Sequence, residues 1–298
     1  MSTLLLYFEE EQAPALRLAQ ACQLQALCVT RHRFPDGELR LRLPVDDAGQ
    51  LPARLVVYRS LDRPNDKLVE LLLLARQARE LGASQILLVA PYLAYMRQDI
   101  AFHPGEVVSQ QVVGQFLADL FDGVITVDPH LHRIHTLAEA IPLAQAVSLS
   151  GAPMLARLIA QHHTAPLLIG PDAESAQWIE AAAQAQGFDH GVCTKVRHGD
   201  RKVEIQLPDC AVQGRAVVLL DDVASSGHTI AAAARQLLAA GATSVDVAVT
   251  HALFAEGALA LIQDAGVRHV WSTDCIAHSS NAIDMAPLLS VEVRRWLG

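Results

Sequence analysis

No CxxC pair links any of the five cysteines (Cys22, Cys28, Cys193, Cys210, Cys275), and their number is odd. That argues against a disulfide framework or a zinc site and for reduced thiols in a cytosol. Nor does the chain contain a run of Lys or Arg: 23 basic side chains face 32 acidic ones, for a net charge of −9. Without a phosphate-neutralising patch, a nucleic-acid binder is not expected. An anionic substrate then needs local basic groups or a metal to offset the global field. Long hydrophobic runs are missing too. The longest strongly apolar stretch, Ile86 to Met96, is too short to span a bilayer and contains a proline. The N-terminus, MSTLLLYFEEE, has no basic flank and turns acidic at once, so no signal peptide is expected. These absences together describe a cytoplasmic protein that binds neither nucleic acid nor membrane.

What is present is a globular composition, 51% hydrophobic and 18% charged over 298 residues. At roughly 100–200 residues per domain, that length suggests two domains, each with its own core. Short apolar strands alternate with Ala/Leu-rich helical stretches. Arg54–Asp62, Gln85–Pro91, Val124–Asp128, Pro166–Asp172, Arg215–Asp222 and Ser244–His251 read as strands, and Lys67–Gly82 and Thr229–Gly241 as helices. Fully apolar strands separated by helices imply a mostly parallel sheet covered on both faces. Gly82 and Gly241 are 159 positions apart, as are the strand ends Pro91 and Thr250. A constant offset across a whole βαβ unit indicates two copies of one α/β domain, although convergent βαβ patterning would look similar. A Ser/Gly/Pro stretch at Ser148–Pro153 marks the boundary.

The copies differ after the central strand: the first reads SLDRPND, the second DDVASSGHT. In the second, Ser225, Ser226, Gly227 and Thr229 let the backbone turn tightly into a helix. Several N–H groups can then converge on a phosphate at the helix N-terminus. Asp221 and Asp222, at the strand end, would repel phosphate. Adjacent carboxylates suit a cis-diol or a divalent cation, and a phosphate beside a diol is a sugar phosphate. An ordinary helix start with two solvated aspartates is the simpler alternative.

Nine segments in order, FPDGE (Phe34–Glu38), NDKLVELL (Asn65–Leu72), PYLAYMRQD (Pro91–Asp99), TVDPH (Thr126–His130), GPD (Gly170–Asp172), KVR (Lys195–Arg197), DDVASSGHT (Asp221–Thr229), THALF (Thr250–Phe254) and IDMAPLL (Ile283–Leu289), resemble the motifs of the ribose-phosphate pyrophosphokinase family. The resemblance implies an α/β fold of two tandem type I phosphoribosyltransferase-like domains, each a mostly parallel sheet flanked by helices. They are expected over 1–147 (the ATP side) and 148–298 (the ribose 5-phosphate loop), with the last helix free to pack back on the N-terminal domain. It implies transfer of the β,γ-diphosphoryl group of ATP to the C1 hydroxyl of ribose 5-phosphate, with Mg2+, in a homo-oligomer (dimer or higher). The implied site lies between the domains, at the C-terminal ends of the strands.

By the same resemblance, Lys195 and Arg197 are the catalytic cations, on a polar stretch (Cys193–Ile205) that reads either as a lid or as a solvated basic hairpin. Arg97, Gln98, Asp99 and His130 bind ATP, and Phe34, Asp36 and Glu38 reach the adenine of ATP on a neighbouring subunit. His130 and Asp172 contact the metal, and Asp221, Asp222, Ser225, Ser226, Gly227, His228 and Thr229 hold ribose 5-phosphate. Many relatives read DTGGT where this chain reads Ser225 to Thr229, so His228 replaces a glycine and its backbone must avoid positive φ or accept a modest cost. GPD is followed by AES rather than AGG, which looks like the archaeal-type branch and leaves open the hexamer and the phosphate/ADP control of the common bacterial enzymes. Two other readings stand beside this one. A phosphoribosyltransferase would share the sugar-phosphate loop, and a non-catalytic regulatory homologue would have lost the catalytic charges.

Overall fold

The computed structural model describes residues 3–131, 133–198 and 202–298, leaving the side chains of 195–198 and 202–204 outside the description. The chain forms two compact units, Met1–Leu149 with Asp284–Gly298, and Ser150–Ile283. Unit 1 runs β1 (Thr3–Tyr7), a 3-10 turn (Glu9–Glu11), α1 (Gln12–Cys22), β2 (Gln25–Cys28), β3 (Thr30–Arg33), β4 (Leu39–Arg42), β5 (Arg54–Tyr58), α2 (Pro64–Glu80), β6 (Gln85–Val89), α3 (Ser109–Leu120), β7 (Gly123–Val127), α4 (Leu137–Ala140) and β8 (Ala146–Leu149). Unit 2 runs α5 (Ala152–His162), β9 (Leu167–Gly170), a 3-10 turn (Ala173–Ser175), α6 (Ala176–Gln186), β10 (Asp189–Val192), β11 (Thr194–His198), β12 (Lys202–Gln206), β13 (Ala216–Ala224), α7 (His228–Ala239), β14 (Ser244–Ala252), α8 (Ala258–Asp264), β15 (Val267–Thr273) and β16 (Asn281–Ile283). The last helix, α9 (Ala286–Leu297), belongs to unit 1.

Each unit has a six-stranded sheet, ordered β2-β1-β5-β6-β7-β8 in one and β10-β9-β13-β14-β15-β16 in the other. Every pairing within these two sheets is parallel. Each unit also carries a separate antiparallel ribbon at the same place in its order, β3–β4 and β11–β12. The units thus repeat one plan, strand for strand. The strands are apolar on both faces because helices cover both: all nine residues of β14 are buried, and Leu55, Val56 and Val57 of β5 are wholly enclosed.

The plan is completed differently in each copy. In unit 2, α5 precedes the sheet and packs on α6; in unit 1, α9 takes the equivalent place on α1. It is fastened there by Arg294 Nη1 donating to Ala21 O (3.1 Å), Arg54 Nη1 to Leu297 O (2.7 Å) and an Arg17–Asp284 ion pair (3.2 Å). The described units therefore divide at Leu149/Ser150 and again at Ile283/Asp284, whereas the sequence suggested a single boundary at 147/148.

Several strands are shorter than the apolar pattern suggested. The stretch from Arg54 stops at Tyr58: the Arg59 side chain enters the acidic cluster described below, and Ser60 N–H donates to Glu11 Oε1 (3.0 Å). β13 is longer: it runs through Asp221 and Asp222 to Ala224, so the diacid lies inside the strand rather than at its end.

Candidate functional site

In parallel sheets every strand ends on the same edge, and ligands bind where the strand order reverses. In unit 2 that reversal falls between β9 and β13, and both sequence-derived acidic motifs sit there. Asp172 stands two residues after β9, where its Oδ1 accepts the Glu174 N–H (3.1 Å) at the start of the 3-10 turn. Asp221 lies two residues beyond the last β9–β13 pair, Leu219 with Ile169. Burial pushes its carboxyl well above the usual carboxylate range, and the charges of Asp222 and Asp172 push it further. Asp222 is almost fully enclosed, and its N–H donates to Asp221 Oδ1 (3.0 Å). The Asp221 carboxyl thus lies within electrostatic reach of one carboxyl from its own motif and one from a motif 49 residues earlier.

Beyond β13, Ser225 and Ser226 are exposed and Gly227 turns the chain with φ 77° and ψ −8°. α7 begins at His228, which takes helical rather than positive φ, so glycine alone bears the left-handed turn. Gly227 has no side chain to cap the helix, and the first N–H groups of α7 are left open toward the loop. A second link steadies the cradle: Ala255 N–H, after β14, donates to Ser225 O (3.0 Å).

In unit 1 the loops after β6 and β7 meet. Val127 N–H donates to Pro91 O (3.2 Å), and Arg133 Nη1 bonds Asp99 Oδ1 (2.6 Å). Asp99 is thereby committed to a neighbouring arginine within the protein, which sequence reasoning did not anticipate. Gln98 Oε1 accepts from Ser109 Oγ (2.9 Å). Arg97 is exposed, and among the described residues no acidic side chain pairs with it. Asp128 and His130 hold left-handed φ of 38° and 56°, the former directly before Pro129. Such strain in non-glycine residues persists only where surroundings impose it, and it gathers at functional sites. Here Asp128 N–H is tied to Leu149 O (2.9 Å).

Phe34, Asp36 and Glu38 form the tip of the β3–β4 ribbon. Phe34 N–H donates to Glu38 O (2.9 Å), Gly37 N–H to Phe34 O (2.9 Å), and Asp36 Oδ1 accepts the Glu38 N–H (3.1 Å). The ring of Phe34 is exposed. Lys195 and Arg197 lie on β11, paired with Ile205 and Val203 of β12. The backbone is therefore a two-stranded ribbon, reached from β10 rather than from a helix, and the two cationic side chains lie outside the described residues.

Unit 1 has no counterpart of the open unit 2 site at its own strand reversal, between β1 and β5. Arg59 stands there, fully buried, with Nη1 2.9 Å from Glu10 Oε1 and 3.0 Å from Glu11 Oε2, Nη2 bonded to Glu70, and Phe8 beneath its guanidinium at 4.3 Å. Sequence reasoning missed this cluster. Its one visible sign was a charged residue closing the buried run LVVYR.

The doubled parallel sheet, the uncapped helix after β13 and the acidic reversal define a protein of the phosphoribosyltransferase fold. Sequence profiles agree: that of the N-terminal domain of ribose phosphate pyrophosphokinase matches residues 4–120, and that of the phosphoribosyl transferase domain matches 151–275. The chain is 33% identical over 285 residues to ribose-phosphate pyrophosphokinase from Methanopyrus kandleri, covering 95% of each chain. It is 32% identical to that from Halobacterium salinarum, covering 96% of this chain and 99% of the relative. Its fold matches that of phosphoribosylpyrophosphate synthetase from Mycobacterium smegmatis with a TM-score of 0.84 over 100% of this chain and 99% of that one, at 21% identity. The chain belongs to the ribose-phosphate pyrophosphokinase family.

Proposed function

We propose that the protein transfers the β,γ-diphosphoryl group of ATP to the C1 hydroxyl of ribose 5-phosphate, giving phosphoribosyl pyrophosphate and AMP. The observation that carries this reading is the unit 2 strand reversal, where the open N–H groups of α7 lie beyond the Asp221–Asp222 diacid. Ser225, Ser226, Gly227, His228 and Thr229 surround the 5-phosphate, and the diacid accepts from the ribose hydroxyls. Arg97, with no acidic partner among the described residues, grips the triphosphate of ATP alongside Gln98 and His130. Asp99 serves that loop by holding Arg133.

In the reaction the C1 oxygen bonds to the β-phosphorus as the bond to the AMP oxygen breaks, and the hydroxyl proton passes to solvent. Charge grows on the equatorial oxygens, which the cations Lys195 and Arg197 stabilise; positioning and electrostatics do the rest.

The donor set fits Mg2+. Asp172 belongs to a cluster of hard oxygen donors whose mutual repulsion a cation would relieve. Among the described residues no group of three or more His, Cys, Asp or Glu side chains is placed to hold a metal ion; Mg2+ keeps several waters, so one or two protein ligands beside substrate phosphates are enough. Asp172 and His130 are the residues that would hold it. When bound, the ion neutralises phosphate charge.

The hairpin tip Phe34, Asp36 and Glu38 reaches adenine bound by a neighbouring subunit, which makes the working form a homo-oligomer. Five free thiols support a cytoplasmic setting. Among the described residues, no helix is long and apolar enough to cross a membrane. The test is a Mg2+-dependent product assay: AMP formed from ATP and ribose 5-phosphate supports the reading. Consumption of phosphoribosyl pyrophosphate with a base, and no AMP from ATP, would establish a phosphoribosyltransferase instead. Specific activity falling on dilution supports the shared nucleotide site.

A further inference from the structure

The β3–β4 ribbon that carries Phe34, Asp36 and Glu38 is poorly equipped to hold a fixed position alone. It is a two-stranded sheet; every residue of β3 is exposed, and β4 is only half covered. Isolated hairpins of this kind are marginal in water. Leu41 packs the ribbon's base on the unit 1 core; the rest of its tether is ionic. Arg31 Nη1 bonds Glu70 Oε1 (2.6 Å) and Glu10 Oε1 (2.9 Å), and Nη2 bonds Glu10 Oε2 (3.2 Å). Nearer the tip, Arg33 Nη2 bonds Asp66 Oδ2 (2.7 Å) while its Nη1 reaches Gly37 O (3.4 Å). Asp66 and Glu70 are one turn apart on α2, so a single helix face receives both arginines.

Glu70 is unusual as an anchor because it is wholly buried, and so is the arginine on its other oxygen, Arg59. A buried ion pair adds little stability over apolar side chains of similar size. What it offers here is direction. One carboxylate oxygen is fixed inward by Arg59 and the other is left facing the ribbon, where the partly exposed Arg31 takes it. Arg59 is itself held by Glu10 and Glu11 from the turn after β1. The strand reversal that binds ligand in unit 2 is thus filled in unit 1 by a charge relay ending on the hairpin.

We propose that Arg31, through the buried Glu70–Arg59 pair, is a positioning residue for the nucleotide base. It sets the place of the Phe34–Glu38 tip and hence the affinity and selectivity for adenine, while taking no part in diphosphoryl transfer. This rests on the reading of the tip as an adenine contact given above.

The experiment compares Arg31→Met, Arg33→Met, Arg42→Met and Phe34→Ala in the full chain, measuring KM for ATP, KM for ribose 5-phosphate, kcat, the ATP:GTP preference and Tm. Arg42 lies on the same ribbon and has no ion pair among the described residues, so it serves as the control. Uniform binding lost at the tip should raise KM for ATP about tenfold in Arg31→Met and narrow the ATP:GTP preference, with kcat and KM for ribose 5-phosphate within about twofold. Arg33→Met should follow in the same direction, Arg31→Lys should recover part of the loss, and Arg42→Met should match the wild type. A merely structural role would lower Tm without splitting the two KM values. Unchanged KM for ATP in Arg31→Met and Arg33→Met, with Phe34→Ala raising it, overturns the positioning role and leaves the hairpin's contact with adenine standing. If Phe34→Ala also leaves it unchanged, the adenine contact fails and the positioning role with it.

Discussion

Gly170 and Ser175 approach so closely that a Cβ on the glycine would stand 2.1 Å from Ser175 Oγ. That hydroxyl donates to Asp172 O at 2.5 Å, closing the turn that presents the Asp172 carboxylate. Alanine at 170 must therefore displace the turn, at a cost of about 1–3 kcal/mol for an overpacked contact. Urea unfolding of Gly170→Ala should show a loss of that size together with reduced turnover. The double variant Gly170→Ala/Ser175→Ala, which removes the blocking oxygen, should regain part of both. A single variant as stable and active as the wild type would show that Asp172 does not depend on this contact.

Gly227 tests the sugar-phosphate cradle. Its φ of 77° is left-handed, and a Cβ there would lie 3.1 Å from both Ala258 O and Ile262 Cδ1. Gly227→Ala should carry a conformational cost of about 1–2 kcal/mol and splay the open N–H groups of α7. The expected signature is a raised KM for ribose 5-phosphate with KM for ATP unaltered, read from initial rates. Equal rises in both constants would point away from a cradle that serves one substrate.

Lys195 and Arg197 should matter to turnover far more than to folding, because they sit on a two-stranded ribbon outside both main sheets. Alanine at either position is expected to lower kcat by about 10²–10³, the range seen for loss of one preorganised electrostatic contact, with an unaltered circular-dichroism spectrum and Tm. Full activity in both variants would falsify their role.

The glutamates around Arg59 give opposite responses to pH. Burial pushes the Glu11 carboxyl up to about 7, outweighing Arg59 and Lys67. The folded chain therefore keeps a proton that the unfolded chain releases. The stability this confers is complete below the ordinary carboxylate range and is lost as pH rises to about 7. Glu10 behaves the other way. Burial opposes its ionisation, but its own backbone N–H, Arg59 and Arg31 together bring it down to about 2. Its contribution is present above the ordinary range and fades as pH falls toward about 2. Glu11→Gln removes the first slope, so the variant should gain on the wild type by roughly 2–3 kcal/mol between about pH 5 and 7.5, a 1.36 kcal/mol step per unit. Denaturant melts across that range check it; a difference that stays flat would mean Glu11 is ionised throughout.

The sequence displayed what is local and periodic. The βαβ rhythm and the small-residue turn before α7 each fit in a short window, and the 159-residue offset recurs in the doubled strand order, although α7 starts at His228 and β14 runs on to Ala252. Contacts made by sheet register were not legible in this way. Asp172 meets Asp221 because β9 pairs with β13, and Glu10 meets Arg59 because β1 pairs with β5. Neither pair is close in sequence. The motif marks Asp99 as a ligand contact, and the fold adds a partner on another loop, Arg133, that the motif could not show. The resemblance lets the last helix return to unit 1, but no local pattern names α1 as its recipient.

That recipient has a consequence for how the molecule can be made and divided. The helix that covers α1 is translated only after all of unit 2, so an emerging unit 1 leaves the ribosome with one flank bare and must wait for a segment from the far end of the message. A gene fragment encoding residues 3–149 should accordingly yield an insoluble or molten product. Joining the stretch 284–298 to it through a flexible linker should restore cooperative unfolding.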